Sequence, residues 1–296
     1  MKRTTLINTV LRGFITAAIL LTALFLSACD KASGTDPGAT LSEQTTPSAD
    51  AAESVASAVG EDDGGVTDQV GDLMNMASND GFASLAKSSE FENVEAEYDS
   101  INGIWTITIV RERGNPDGIP YAFISRVYTV QFLNGAGQPQ KRWITDSDTA
   151  RTINFDIVSG SGRHKTRRLS QQLKNLEGSF VATNANLPNL TVNGTYTRSA
   201  ADTITTRNAV RTNDHTLELQ LIDLVGPRGS RRDLSRKISG TITGTYTATV
   251  TFTKGDLYRE TNIERNINIV IGGGRAAIDV GGETFTGDVQ TGEILD

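Results

Sequence analysis

The sequence predicts an all-β protein. It is expected to be a large antiparallel sandwich, or a barrel or half-barrel meander with long strands, preceded by a disordered tether and one or two short helices. Three observations predict it. Ile238–Thr253 alternates without a break: Ile238, Gly240, Ile242, Gly244, Tyr246, Ala248, Val250 and Phe252 fall on one side, and Ser239 with a run of threonines on the other. On a helix those apolar residues would scatter around the whole circumference. Several further period-two segments are separated by Gly- and Asn-rich turns, and no long helical pattern lies between them. Finally, composition changes near residue 100: residues 30–100 carry 2 basic and 16 acidic residues, whereas 101–296 carry 23 basic and 19 acidic.

The chain begins with Lys2, Arg3 and Arg12, and Phe14–Leu26 is then apolar apart from Thr16 and Thr22. That length suits a signal-peptide core and is short for a spanning helix. Leu26-Ser27-Ala28-Cys29 follows directly and uses the single cysteine of the sequence. This segment resembles the lipobox of bacterial lipoproteins. The resemblance covers the leader alone. It implies that residues 1–28 are removed, that the Cys29 thiol carries a diacylglyceryl group, and that the new amino terminus is acylated. Two or three acyl chains make a stable anchor where one does not, each buried methylene contributing about 0.8 kcal/mol. The mature chain is therefore expected in the cell envelope, held at a membrane outside the cytoplasm by the lipid on Cys29. Asp30 resembles the inner-membrane retention residue of enteric lipoproteins.

Residues 29–65 read as an acidic, flexible tether, because only Leu41, Val55 and Val59 are large and apolar. Such a segment has a typical reach of roughly 35 Å. Within 66–100, Val66, Val70, Leu73, Met74 and Ala77 recur at helical spacing, and Phe82 and Leu85 follow a break at Asp80-Gly81. This predicts a short helical and linker segment. Residues 101–296 form the expected antiparallel β domain. Its predicted strands are Ile104–Arg111, Ala122–Leu133, Lys141–Thr145, Thr152–Val158, Gly178–Thr183, Leu190–Arg198, Thr216–Asp223, Ile238–Thr253, Ile263–Ile271, Ala276–Val280 and Glu283–Val289. Leu169, Leu173 and Leu176 allow a short helix instead. Val192–Thr197 matches Ile242–Thr247 at an offset of 50 residues, which raises a duplicated hairpin.

Chemistry-bearing patterns are sparse. One cysteine excludes an internal disulfide framework, and two histidines beside it give little material for a zinc site. His164 reads as part of an exposed hairpin tip and His215 as following a turn, neither next to a nucleophile motif. Asp146 and Asp148 on one strand face, or Glu61 to Asp63, offer oxygen ligands for calcium, without the twelve-residue loop pattern. Asp146 and Asp148, or Glu92, Glu95, Glu97 and Asp99, could make a glycosidase pair only if the fold brought two of them together. Arg163, Lys165, Arg167 and Arg168 form one basic stretch, and Arg228, Arg231, Arg232, Arg236 and Lys237 a second. If they converge they make a patch for anions. The Thr row of 239–253 also admits an ice-binding row or a membrane-crossing strand, but neighbouring rows and aromatic girdles are missing from the pattern.

These readings favour a non-catalytic binding or structural module, with no cofactor. The expected partners are the membrane, envelope polysaccharide or another envelope protein. Nucleic acid is disfavoured by compartment and by the lack of interleaved aromatics. The alternatives are carriage of an apolar ligand in a β-barrel cavity and hydrolysis of envelope polysaccharide by an Asp/Glu pair.

Overall fold

Period-two alternation dictates extended chain with one face apolar, and such a face is stable only when something covers it. The computed structural model describes residues 47–79, 81, 85, 92–146, 148–167, 169–205, 209–229 and 234–295. Two helices come first, α1 (Pro47–Val59) and α2 (Val66–Met76). Fourteen strands follow: β1 (Glu92–Asp99), β2 (Ile104–Gly114), β3 (Tyr121–Leu133), the short β4 (Pro139–Gln140), β5 (Ile144–Thr145) and β6 (Asp148–Thr149), then β7 (Thr152–Lys165), β8 (Leu169–Thr183), β9 (Asn189–Thr205), β10 (Val210–Pro227), β11 (Ser239–Lys254), β12 (Leu257–Gly272), β13 (Arg275–Val280) and β14 (Glu283–Asp288).

Twelve of these strands make one antiparallel sheet, ordered β1-β2-β3-β7-β8-β9-β10-β11-β12-β13-β14 with β4 beside β3. The all-β antiparallel expectation therefore holds, in the meander form. The sheet is not closed, and β1 and β14 are its edges. Its strands are long: β10 has 18 residues, or roughly 60 Å at about 3.3 Å each. β5 and β6 form a separate two-stranded hairpin. No helix among the described residues is long and apolar enough to cross a membrane, which says nothing about strands.

One face of the sheet is covered by α1 and α2. Along β9 the covered side carries Leu190, Val192, Tyr196, Ala200 and Ile204, all buried, and along β11 it carries Ile242, Tyr246 and Ala248. Except for Ile204, these residues join Val55, Val59, Val70, Leu73 and Met74 of the helices in one core cluster. The opposite face is the polar one, with Thr195, Thr197, Ser199 and Thr203 of β9 beside Thr212, Thr216 and Glu218 of β10 and the Thr row of β11. β-branched Thr suits a strand that meets water on one side.

The segment joining the helices is fixed to the far edge of the sheet. Glu61 and Asp62 donate their backbone N–H groups to the carbonyls of Val289 and Gln290 at 2.8 Å each. Gly60 permits this approach, since a β-carbon there would sit 2.7 Å from Gly292 Cα. Gly64, at φ +68°, brings its carbonyl within 2.5 Å of Arg126 Nη2, where a side chain would collide with Ile124 and Arg126.

Several expectations are corrected. Residues 47–59 are helix α1, not tether, and Ala51, Ala52, Val55, Ala56, Ala58 and Val59 are buried. Counting only large apolar residues missed this, because alanines let a helix lie close against a sheet. Residues 92–99 are edge strand β1 rather than linker, so the β domain starts before residue 101 and includes both helices. Leu169–Leu176 is strand β8, not a helix: a bulge between Leu173 and Asn175 shifts the phase of the inward leucines and produces a near-helical spacing. The offset-50 likeness falls on adjacent hairpins, β9–β10 and β11–β12, but their registers differ. Gly194 pairs with Leu221, whereas Gly244 pairs with Ile267 rather than Ile271. The leader, Cys29 and residues up to 46 lie outside the described residues.

Candidate functional site

Polar and charged residues interrupt the inward side of several strands. Arg111 of β2, Arg126 of β3, His164 of β7, Gln171 of β8, Arg198 and Asp202 of β9, and Arg211, Asn213 and His215 of β10 all share the inward phase of their apolar neighbours. Among them Arg126, His164, Gln171, Arg198, Asp202, Arg211, Asn213 and His215 are buried. The strand register aligns four of them: His164 lies opposite Gln171, Gln171 opposite Asp202, and Asp202 opposite Asn213.

A buried ion is tolerated when it is paired and hydrogen-bonded, and the helices supply the partners. Asp68 and Asp72 stand one turn apart on α2. Arg111 lies 2.9 Å from Asp68 and 2.5 Å from Asp72, and Arg126 lies 2.6 Å from Asp68. Tyr128 donates to Asp72 at 3.2 Å and accepts from Arg126 at 3.1 Å. Burial alone would lower the Arg111 pKa; the charges of Asp68 and Asp72 outweigh it and hold the group well above the usual guanidinium range. On α1, Asp50 lies 2.8 Å from Arg211, and Ser54 donates to Asp202 at 2.5 Å. His215 is 3.5 Å from Asp202 and stacks on Tyr246 at 5.3 Å between centroids. Burial pushes the His215 pKa down against the pull of Asp202, which keeps the ring neutral.

Beside the helix turn this polar region opens into a cavity of about 310 Å3. Its walls include Ala122, Phe123, Ile124, Gly162 and Leu173; Arg198, Gln171 and His164 also line it. Other lining residues are Glu61, Asp62, Asp63, Asp68, Arg111, Arg113 and Arg163. Most of these carboxylates are engaged. Asp63 lies 2.9 Å from His164 Nε2, Asp62 lies 3.4 Å from Arg113 and accepts from Gln290 at 2.7 Å, and Asp68 holds Arg111 and Arg126. Glu61 accepts the Ser235 N–H at 3.0 Å, and burial pushes its pKa up, only partly offset by that hydrogen bond.

The sites expected from sequence fare differently. Arg163 reaches the cavity, 5.9 Å from the Tyr121 ring centroid, although it belongs to strand β7 and not to a loop tip. Lys165 closes β7 and donates to the Pro116 carbonyl at 3.1 Å. Arg167 is exposed in the β7–β8 turn. Arg228 stacks on Trp143 at 4.4 Å, after the far end of β10. Among the described residues, then, the two basic stretches lie at opposite ends of the sheet and make no common patch. Arg168, Arg231 and Arg232 lie outside the described residues. Asp146 sits in the exposed β5–β6 turn at φ +53° and Asp148 opens β6, so the two do not alternate along one strand face. No group of three or more metal-ligating side chains occurs among the described residues. His164 and His215 are buried within strands, not at tips or turns.

Sequence reasoning missed Arg126, Arg198 and Asp202. The signal was present: each occupies a position whose neighbours two residues away are inward and apolar. Comparison with known protein families, curated proteins and solved structures finds no match for this chain.

Proposed function

We propose that the chain is a lipid-anchored bacterial envelope protein whose β module binds a target without converting it, using the cavity beside the helix turn. The leader segment ending at Cys29 supports the anchor. The observation that carries the binding reading is the state of the cavity's acids. Asp62 and Asp68 are each held by an arginine and Asp63 by His164, which suits a fixed recognition surface better than a proton-transferring pair. The polar lining also favours a polar target over the apolar cargo of a carrier.

Two measurements test this. Wild-type protein should sediment with membranes and incorporate labelled palmitate, and Cys29→Ser should lose both properties; labelling of the variant would sink the anchor. For the module, amide hydrogen exchange in residues 61–64 and 160–164 should slow when a target is added. Turnover of the added compound, with no lasting protection, would replace binding by catalysis.

A further inference from the structure

Four largely buried arginines reach the helix-covered side from β2, β3, β9 and β10, and three of them meet a carboxylate. Arg111 and Arg126 meet Asp68, and Arg211 meets Asp50. Arg198 is the exception. It is 2 % exposed, and no carboxylate of the described residues lies within 4 Å of it. Its Nη2 donates to Gln171 Oε1, while Nε and Nη1 have no partner. Gln171 Nε2 and His164 Nδ1 are likewise buried and unpartnered, and all three side chains line the cavity. A guanidinium stays charged at any physiological pH. Buried without a counter-charge it is costly, and an anion arriving from solvent removes that cost.

We propose that the cavity binds a small organic monocarboxylate, with its charge on Arg198 and its short apolar part against Ile124 and Leu173. This deepens the binding reading above and rests on it. The neighbouring acids Asp62, Asp63 and Glu112 disfavour a polyanion: Asp62 meets Arg113, but Glu112 accepts from the Tyr121 hydroxyl, which offsets none of its charge. Arg163 at the exposed side of the same cavity adds attraction during entry.

The test uses the full chain in detergent and needs no variant at first. Butyrate and benzoate are titrated by calorimetry against their neutral amides, butyramide and benzamide, with inorganic phosphate as an anion lacking an apolar part. The acids should bind at least ~10-fold more tightly than the amides, the difference a charge-assisted hydrogen bond makes, and more tightly than phosphate. Arg198→Met should abolish the acid–amide difference, and its ligand-free melting temperature should equal or exceed that of the parent, since a lone buried charge has gone. Equal binding of acids and amides, tighter binding of phosphate, or unchanged affinity in Arg198→Met would each overturn the inference. If neutral compounds alone bind, the module still binds and only the ligand class fails; if nothing in the panel slows exchange at 61–64 or 160–164, both readings fail.

Discussion

Two rungs cross the same five strands, β3, β7, β8, β9 and β10, on the same covered face. Near one end the rung is Phe132, Ile153, Ala182, Val192 and Leu224, every member buried and apolar. Ten or eleven residues along each strand the rung is Ala122, His164, Gln171, Asp202 and Asn213, equally buried from His164 onward and polar throughout that part. The backbone is the same in both places, with strands and hydrogen-bond ladders of one kind. The difference lies in the covering layer. The apolar rung shares a core cluster with Leu73 and Met74 of α2, and needs only close contact. The polar rung faces Ser54 of α1, which donates to Asp202, and the segment around Asp63, which meets His164. Its energetics depend on matched partners, and at Gln171 and the adjoining Arg198 that matching is incomplete. An apolar rung gives stability alone, whereas a polar rung with unmatched donors leaves room for a ligand.

The largest way to break this contrast is to move charge into the apolar rung. Val192→Asp should cost about 5 kcal/mol or more, because nothing there can pair with it, and cooperative urea unfolding should be lost. Removing a partner at the polar end comes next. Asp68→Asn should cost about 3–5 kcal/mol by leaving Arg111 and Arg126 undercompensated, and adding Arg126→Met should recover part of the loss in a double-mutant cycle; strict additivity would mean that the pair is not coupled. The third expectation is a pH dependence. The His215 pKa is lowered by burial, so the unfolded chain takes the proton more readily than the folded one. Stability contributed by this neutral ring is complete above about pH 6.5 and falls as pH drops below it. Chemical denaturation across that range should flatten in His215→Gln, and an unchanged slope would assign the effect elsewhere. The smallest effect belongs to the uncovered face, where Lys174 and Asp214 sit 2.6 Å apart in solvent. Lys174→Ala should change stability by at most ~1 kcal/mol.

The strands were readable because alternation is a local property. The stretch from Ile238 to Thr253 gave β11 almost to the residue, and Ala122–Leu133 gave β3. Strand ends were read short where the inward residues turn polar. Thr152–Val158 stopped where β7 in fact continues past a bulge to His164 and Lys165, and Thr216–Asp223 omitted the part of β10 holding Arg211, Asn213 and His215. Those omissions are the candidate site. A charged residue on a strand reads as solvent-facing unless its partner is known, and the partners here lie 39–161 residues away, on the helices. α1 was lost for a related reason: its alanines and acids look like tether until the sheet that accepts them is in view.

The sequence by itself determined that this chain forms long antiparallel strands with one apolar face and one threonine-rich face, because side-chain direction in a strand has a period of two whatever surrounds it. Only the tertiary structure decided that two acidic helices cover the apolar face, that Arg111, Arg126 and Arg211 find carboxylates there, and that Arg198 does not. Pairing between charges depends on distance across the fold, and that is settled only when the covering layer has docked.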